Sequence, residues 1–273
     1  MASDLKPIFL LADSQLLFWR DEEGNRLLER ARQLIEAGDP ARPPKAAYLG
    51  ASNGDAPEFY DLFLGAMAEI GIADCRHVPC QPSPDDFAFL AEADLILLAG
   101  GDVRRGWETF ESHGLKDKLV ERYYAGAVLV GISAGAIQLG LKGWDEQGIF
   151  DTFSLVPFVV DAHDEPSWSG LLRAVTKAGE HARGLGIPTG GGVLYHPDYS
   201  LEPVRHPATE VELTESGPRQ ALLFPGRDQV SEEAEASPRV MAQDEIFDRV
   251  MRDLGAPAAE EADEADESEE PVH

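Results

Sequence analysis

The stretch Val128-Leu129-Val130-Gly131-Ile132-Ser133-Ala134-Gly135-Ala136-Ile137 decides the fold of this chain. Its first half is a short apolar run, which is typical of a buried strand, and an apolar-periodic segment typical of a helix follows. A serine lies at the junction with a glycine two positions away on either side. Strand, sharp turn and helix around a central serine form the pattern called a nucleophile elbow. The stretch therefore predicts that the hydroxyl of Ser133 stands above the end of a sheet.

The residues around this serine suit attack on a carbonyl group. Glycines leave no Cβ to collide in a tight bend, which is what Gly131 and Gly135 would provide. The backbone N–H of Ala134 would face the oxygen of an attacked carbonyl. It would do so at the N-terminus of a helix, whose dipole favours negative charge. Ser133 is thus a candidate nucleophile and Ala134 a candidate oxyanion donor.

A second loop, Gly100-Gly101-Asp102, follows another buried apolar strand at Asp94–Ala99. Adjacent glycines let the backbone approach a substrate and turn an N–H toward it, so Gly101 or Asp102 could supply a second oxyanion donor. The alternative is a tight turn that needs glycine for its dihedral angles. Arg104 and Arg105 come next, either as ligands for a substrate carboxylate or as surface residues at a helix start.

A serine nucleophile needs a base to accept its proton, and an imidazole is the usual one. Of the seven histidines, His163 and His196 both follow the elbow and lie near predicted strand ends. His163 has acidic neighbours at Asp161, Asp164 and Glu165, any of which could hold the ring or balance its charge. His163 and His196 are therefore both candidates for the base.

The remaining pattern predicts an α/β fold. Apolar strands near Ile8–Ala12, Ala46–Gly50 and Asp94–Ala99 alternate with helical segments, which implies a mostly parallel, doubly wound sheet with helices on both faces. Ligands of such sheets gather at the carboxyl ends of the strands. A further strand is predicted at Phe153–Val160. Glu210–Thr214 and Gln220–Phe224 predict a C-terminal antiparallel hairpin at a sheet edge.

Charge and composition divide the chain into three parts. Residues 1–230 form one predicted catalytic α/β domain. Residues 231–255 are a peripheral acidic segment with a helix predicted at Met241–Leu254. Residues 256–273 contain no aromatic side chain and eight acidic ones, a composition typical of a disordered, solvating tail.

Several classes of protein are disfavoured. A net charge of -27, with 23 Lys and Arg against 50 Asp and Glu, argues against nucleic acid and anionic membranes as partners. No apolar run reaches the length of a membrane span. The N-terminus lacks a basic stretch before a long apolar segment, so we expect no secretory signal. Two cysteines, Cys75 and Cys80, suit neither a disulfide framework nor a zinc site. We expect a cytoplasmic protein without metal or organic cofactor.

Three ordered pieces carry a resemblance to a known family: Gly100–Asp102, Gly131–Ala136 and Asp161–His163. With these three pieces in this order, the chain resembles the dipeptidase E and cyanophycinase family of serine peptidases over about Ile8 to Phe224. That family has a fold like class I glutamine amidotransferases. The resemblance implies Ser133 as nucleophile, His163 as base, and Gly101 and Ala134 as oxyanion donors.

Two departures from the family pattern stand out. Family members often carry a glutamate on a later strand that completes the triad, whereas this chain has Gly186-Ile187-Pro188-Thr189, with Thr189 at the matching place. The third triad member stays open among Asp161, Glu165 and Asp198. The arginine-rich stretch that tends to follow the family histidine is also missing, which argues against a cationic aspartyl–arginine polymer as substrate.

The sequence thus predicts a serine hydrolase, a peptidase that cleaves short or isopeptide substrates of the aspartyl type through a Ser-His acyl-enzyme mechanism. Asp102, Arg104 and Arg105 are its candidate substrate-binding residues. The partner would be a small peptide, and family precedent allows a homodimer. The alternative is a catalytically degenerate binding or regulatory protein on the same fold. An amidotransferase-like domain is disfavoured, since those enzymes use the more nucleophilic thiolate.

Overall fold

The computed structural model describes residues 5–36, 42–162, 167–214 and 217–226. His163 and Glu165 lie outside these ranges. So do the predicted acidic segment at 231–255, its helix at Met241–Leu254 and the acidic tail at 256–273.

The described chain alternates strands and helices through its first half, as the sequence predicts. Its strands are β1 (Ile8–Leu11), β2 (Lys45–Leu49), β3 (Asp74–Val78), β4 (Leu95–Leu98), β5 (Val128–Ile132), β6 (Lys142–Asp145), β7 (Gly148–Asp151), β8 (Val159–Asp161), β9 (Arg183–Gly186), β10 (Gly192–Tyr195), β11 (Leu201–Val204), β12 (Ala208–Thr214) and β13 (Gly217–Leu223). Its helices are α1 (Leu27–Glu36), α2 (Pro57–Glu69), α3 (Pro84–Leu90), α4 (Val103–Ser112), α5 (Leu115–Tyr124), α6 (Ala134–Leu139) and α7 (Ser169–Ala178), with a short 3₁₀ helix at Ser14–Leu17.

Seven strands form the central sheet in the order β11-β10-β1-β5-β4-β2-β3. The five strands from β1 to β3 in this order run parallel, and β10 is antiparallel to both β1 and β11. Strands β1, β4 and β5 are apolar and buried along their whole length, as expected for parallel strands covered on both faces. The predicted mostly parallel α/β fold is confirmed.

Helices cover both faces of this sheet. Alternate residues of β1 enter different cores: Phe9 and Leu11 pack with residues of α1 and α2, whereas Ile8 and Leu10 share the core with residues of α4, α5 and α6. This separation follows from the two-residue period of a strand. The sheet is therefore doubly wound. None of the described helices has the length and apolar character needed to cross a membrane.

A second sheet has the order β13-β12-β9-β8, and β6 and β7 form a separate hairpin. The predicted C-terminal hairpin is present as antiparallel β12 and β13 at the edge of this second sheet. The strand predicted at Phe153–Val160 is mostly wrong, since only Val159 onward forms β8. Phe153, Val156 and Phe158 are buried in the core, so their apolar character comes from packing rather than from strand pairing.

Strand register determines which loops meet at the end of the sheet that carries Ser133. Leu11 and Leu98 end their strands beside Ile132 and Gly131 of the elbow strand. The loops that follow β1, β4 and β5 therefore emerge together at the carboxyl ends of the parallel strands.

Candidate active site

Ser133 occupies the sharp turn between β5 and α6 and has a strained backbone, with φ 49° and ψ -108°. A positive φ is uncommon for residues other than glycine and persists only when the surroundings enforce it. Here the Ser133 N–H donates to the Leu11 carbonyl over 2.8 Å, and the Ser133 carbonyl accepts from Ile137 over 3.1 Å. Bonds to a neighbouring strand and to the following helix thus hold the elbow in place.

The two elbow glycines are required by close backbone approach. A Cβ on Gly131 would lie 2.7 Å from the Ala136 nitrogen, and one on Gly135 would lie 2.2 Å from the Leu98 carbonyl oxygen. Both obstacles are backbone atoms, which cannot move aside as a flexible side chain could. The spacing that the sequence shows around Ser133 therefore has a steric origin.

A cavity of about 380 Å³ contains Ser133. Its volume falls within the usual range of small-molecule sites. Residues in or after strands β1, β2, β4, β5, β8 and β9 line it together with residues of α2. The lining is Ala12, Asp13, Ser14, Leu17, Tyr48, Asn53, Phe59, Leu62, Phe63, Leu97, Ala99, Gly100, Gly101, Ile132, Ser133, Ala162 and Thr189.

The glycine loop presents backbone to this cavity. Gly101 has a φ of +136°, and a Cβ there would lie 2.3 Å from the Ser52 carbonyl oxygen. The N–H of Asp102 donates to that same oxygen over 2.9 Å, whereas the N–H of Gly101 has no acceptor among the described residues. The Asp102 carboxylate accepts from the Arg105 N–H over 2.9 Å and caps α4. Gly101 is therefore the better of the two candidate oxyanion donors, because the N–H of Asp102 is already bonded to the Ser52 carbonyl.

Gln138 connects the elbow helix to the glycine loop, a role that the sequence analysis missed. Its side chain is fully buried, and Nε2 donates to Ser52 Oγ over 3.1 Å and to the Val103 carbonyl over 2.8 Å. Ser52 in turn accepts the Asp102 N–H through its carbonyl. The one sequence signal was a polar residue on an otherwise apolar helix directly after the nucleophile.

The chain reaches the cavity just before His163. Asp161 ends β8, where its carbonyl accepts from the Ile187 N–H over 2.8 Å, and Ala162 lines the cavity. Asp161 is 4% exposed. The predicted base, His163, follows Ala162 directly in the sequence and lies outside the described residues.

Asp198 and His196 lie far from the nucleophile. Strand β10 runs antiparallel to β1 and pairs Tyr195 with Ile8, which takes the following residues to the edge of the sheet opposite Ser133. Asp198 accepts bonds from the N–H and hydroxyl of Ser200 in the turn there. The prediction that Asp198 could be the third triad member is therefore wrong, because antiparallel β10 takes the chain to the end of the sheet away from Ser133.

His196 on that far edge belongs to a separate ion-pair cluster. Its Nε2 lies 2.8 Å from Glu202 Oε2, and Arg30 binds the same carboxylate through both of its terminal nitrogens. The bond from Arg30 lowers the pKa of Glu202. The cluster ties α1 to β11 and takes no part in the serine site.

Arg104 and Arg105, the candidate carboxylate ligands, line a different cavity of about 290 Å³ together with Glu108, Asp145 and others. Arg104 Nη2 donates to Asp145 Oδ1 over 3.0 Å, and its guanidinium lies 4.2 Å from the centre of the Phe150 ring. This bond raises the pKa of Arg104 and lowers that of Asp145. Arg105 packs against the backbone at Gly54. The structure thus does not bring either arginine to the cavity of Ser133.

Asp13 and Thr189 also line the cavity of Ser133. Thr189, at the place of the family glutamate, lines the cavity. Asp13 is the acidic residue among the described lining, and its carboxylate accepts from the N–H of Gln15 over 2.9 Å and of Gly190 over 2.6 Å. Asp13 was not predicted from the sequence, although an acid directly after the first strand is a signal for a site at the carboxyl end of the sheet.

Other chemistries find little support within the described ranges. Those residues hold no group of three or more His, Cys, Asp and Glu side chains that could bind a metal ion. Burial raises the pKa of both cysteine thiols, Cys75 and Cys80, to about 11, so neither is a thiolate at neutral pH.

Known proteins resemble this chain in both sequence and fold. The family model for peptidase family S51 matches residues 8–195. An uncharacterized peptidase, YgaJ, of Bacillus subtilis is 32% identical over 115 residues, which cover 40% of this chain and 46% of that protein. Peptidase E of Streptomyces coelicolor is 29% identical over 149 residues, 52% of this chain and 60% of that protein. The chain thus spans about half the length of these curated relatives.

Solved structures show the same fold at low identity. A peptidase from an acI-B1 Actinobacterium superposes with a TM-score of 0.59 at 17% identity, over 82% of this chain and 96% of that one. A putative Peptidase E protein from Listeria monocytogenes gives a TM-score of 0.50 at 15% identity, over 74% and 98%. The family model covers well over half of the sequence, and with it the glycine loop, the elbow and the histidine segment. The chain belongs to peptidase family S51.

Proposed function

We propose that this protein is a serine peptidase that cleaves short peptides through an acyl-enzyme on Ser133. The observation that carries the proposal is the strained backbone of Ser133 on the wall of a cavity that it shares with Gly101. Strain of this kind clusters at active sites, where it fixes a reactive group in place. Membership of a peptidase family supports the same reaction class.

The reaction would follow the two-step course of serine peptidases. Ser133 Oγ attacks the peptide carbonyl while His163 accepts the hydroxyl proton. The oxygen of the tetrahedral intermediate, which now carries the negative charge, accepts bonds from the N–H groups of Gly101 and Ala134. His163 returns the proton to the leaving amine as the C–N bond breaks. Water, deprotonated by the same imidazole, then releases the acyl group and restores Ser133.

Two of the predicted acids remain as partners for the His163 imidazole. Asp161 ends the strand just before the histidine and is buried, and Glu165 follows two residues later. Either carboxylate would orient the ring and stabilise its protonated form without reacting itself. Asp161 is the stronger candidate, because it is buried directly before Ala162, which lines the cavity.

A second function, a binding or regulatory protein that has lost its chemistry, is favoured by one observation. Thr189 lines the cavity at the place where the family has its glutamate, so the ordinary triad acid is absent there. A hydroxyl cannot balance the charge of an imidazolium as a carboxylate does. The two functions differ in whether Ser133 reacts.

Labelling with a fluorophosphonate and hydrolysis of a dipeptide panel separate the two functions. We expect the wild type to be labelled and to turn over, and Ser133→Ala to lose both, with a drop in kcat of more than about 10³-fold. Ser14→Ala is the matched control, because Ser14 lines the same cavity outside the elbow. Equal labelling of wild type and Ser133→Ala would overturn the assignment. An unlabelled, inactive wild type that still binds peptides would establish the binding protein instead.

A further inference from the structure

We infer that the cavity of Ser133 selects an apolar side chain next to the scissile bond, and that Phe59 and Leu62 of α2 make this selection. The inference rests on the proposed function and names its substrate class. It replaces the aspartyl preference that the family resemblance implies for this chain.

The cavity has most of its apolar lining on the face of the central sheet that α1 and α2 cover. Leu17 from the 3₁₀ helix, Phe59, Leu62 and Phe63 from α2, and Leu97 and Ile132 from two central strands all line it. Ile132 directly precedes the nucleophile, so this apolar wall is continuous with the reactive group. A substrate whose carbonyl reaches Ser133 therefore places a neighbouring group against it.

Phe59 and Leu62 expose apolar surface that the fold leaves uncovered. They are 44% and 41% exposed, whereas Phe63 on the same helix is fully buried. Covering such surface is favourable in proportion to the apolar area removed from water. An apolar substrate side chain would supply that cover on each binding event, and the cavity gives it a defined place.

Charge in the cavity argues against an acidic side chain. No lysine or arginine belongs to the described lining, and its one acidic residue is Asp13. A substrate aspartate would lose its hydration there without gaining a lysine or arginine partner from the described lining, which costs free energy. Arg104 is bound to Asp145 in the neighbouring cavity, and the whole chain carries a net charge of -27.

The test compares dipeptides X-Ala and Ala-X, where X is leucine, phenylalanine, aspartate or arginine. We expect kcat/KM for leucine and phenylalanine to exceed that for aspartate by at least about tenfold in one of the two series, the discrimination typical of an apolar pocket. A preference for aspartate, or equal rates for all four residues in both series, would overturn the inference.

Leu62→Lys and Leu64→Lys form a matched pair of variants. Both leucines are on the outside of α2, at 41% and 37% exposure, but only Leu62 belongs to the cavity lining. We expect Leu62→Lys to lower kcat/KM for the best apolar dipeptide by about tenfold or more and to raise the aspartate-to-leucine ratio. Leu64→Lys should change neither quantity.

The outcomes separate the inference from the function on which it rests. Fluorophosphonate labelling of Ser133 in both variants shows that the nucleophile is intact, so a changed preference then reports on the cavity wall. If Leu62→Lys is labelled but keeps the wild-type ratio of aspartate to leucine hydrolysis, the inference is overturned and the proposed peptidase function still holds. A second copy of the chain could instead cover this face of α2. In that case Leu62→Lys would alter the molar mass measured by light scattering, and this result would also overturn the inference.

Discussion

The two walls of the Ser133 cavity are built in different ways. On one side, Gly100, Gly101 and the elbow pack so closely that added side chains would meet backbone or the nucleophile itself. On the other side, Phe59 and Leu62 offer exposed side chains from one face of a helix. In the first wall, only residues without a side chain fit at the glycine positions. In the second wall, packing does not restrict which side chains can stand at positions 59 and 62.

This difference explains what the sequence could reveal. A position that tolerates only glycine can be read directly from the sequence, so the elbow and the glycine loop were predictable from their motifs. The role of an exposed leucine on a helix cannot be read in this way, because in the sequence it resembles any other apolar residue at the surface. The reaction class was therefore readable, while the substrate class needed the folded cavity.

The largest effect that tests the first wall is expected for Gly101→Ala. The φ of +136° disfavours alanine, and its Cβ would collide with the Ser52 carbonyl oxygen, so the loop must move and the N–H of residue 101 must leave its place. Loss of one oxyanion donor lowers kcat by about 10²- to 10³-fold. Steady-state kinetics on the best dipeptide measures the change.

Gly148→Ala is the control for backbone strain alone. Gly148 has nearly the same φ, +134°, with nothing within 4 Å of an added Cβ, and it lies outside the serine cavity. Both variants should lose stability, but only Gly101→Ala should lose kcat. If the two variants kept equal activity, Gly101 would be a turn residue, as the alternative interpretation of its sequence holds.

Where the sequence-based predictions failed, long-range geometry was responsible. The apolar run at Phe153–Val160 was predicted as a strand, yet most of it packs in the core without strand pairing. Asp198 was predicted near Ser133, but the direction of β10 takes it to the opposite edge. Asp13 and Gln138 were missed because their partners, Gly190 and Ser52, are 177 and 86 residues away in sequence. Local motifs do not carry such contacts.

A smaller effect is expected for Gln138→Leu, which tests how the first wall is held. The substitution removes two buried hydrogen bonds and leaves the Val103 carbonyl and Ser52 hydroxyl without their donor. An unsatisfied buried polar group costs about 1–3 kcal/mol. Because leucine also removes Gln138 Oε1, which is buried without a hydrogen-bond partner among the described residues, the free energy of unfolding in urea should fall by about 1 kcal/mol, at the lower end of that range. Because Ser52 holds the Asp102 N–H, we also expect kcat to fall while KM changes little.

Gln147→Leu serves as the control, since Gln147 is exposed on the β6–β7 hairpin. A loss of stability without any change in kcat would limit Gln138 to a structural role. A lower kcat at unchanged KM would make it a positioning residue for the oxyanion loop.

The smallest effect is expected for Arg104→Ala, which decides between the two accounts of substrate choice. If the apolar wall selects the substrate, Arg104 only binds Asp145 and covers the Phe150 ring, and kcat/KM for every dipeptide should stay within about twofold of wild type. Lys142→Ala is the control, because it breaks a comparable exposed ion pair, with Asp151, on the same hairpin. A selective collapse of aspartyl hydrolysis in Arg104→Ala alone would mean that Asp145 releases the guanidinium when substrate binds. Recognition of an aspartyl substrate would then depend on the positive charge of Arg104, which in this structure lies in the neighbouring cavity.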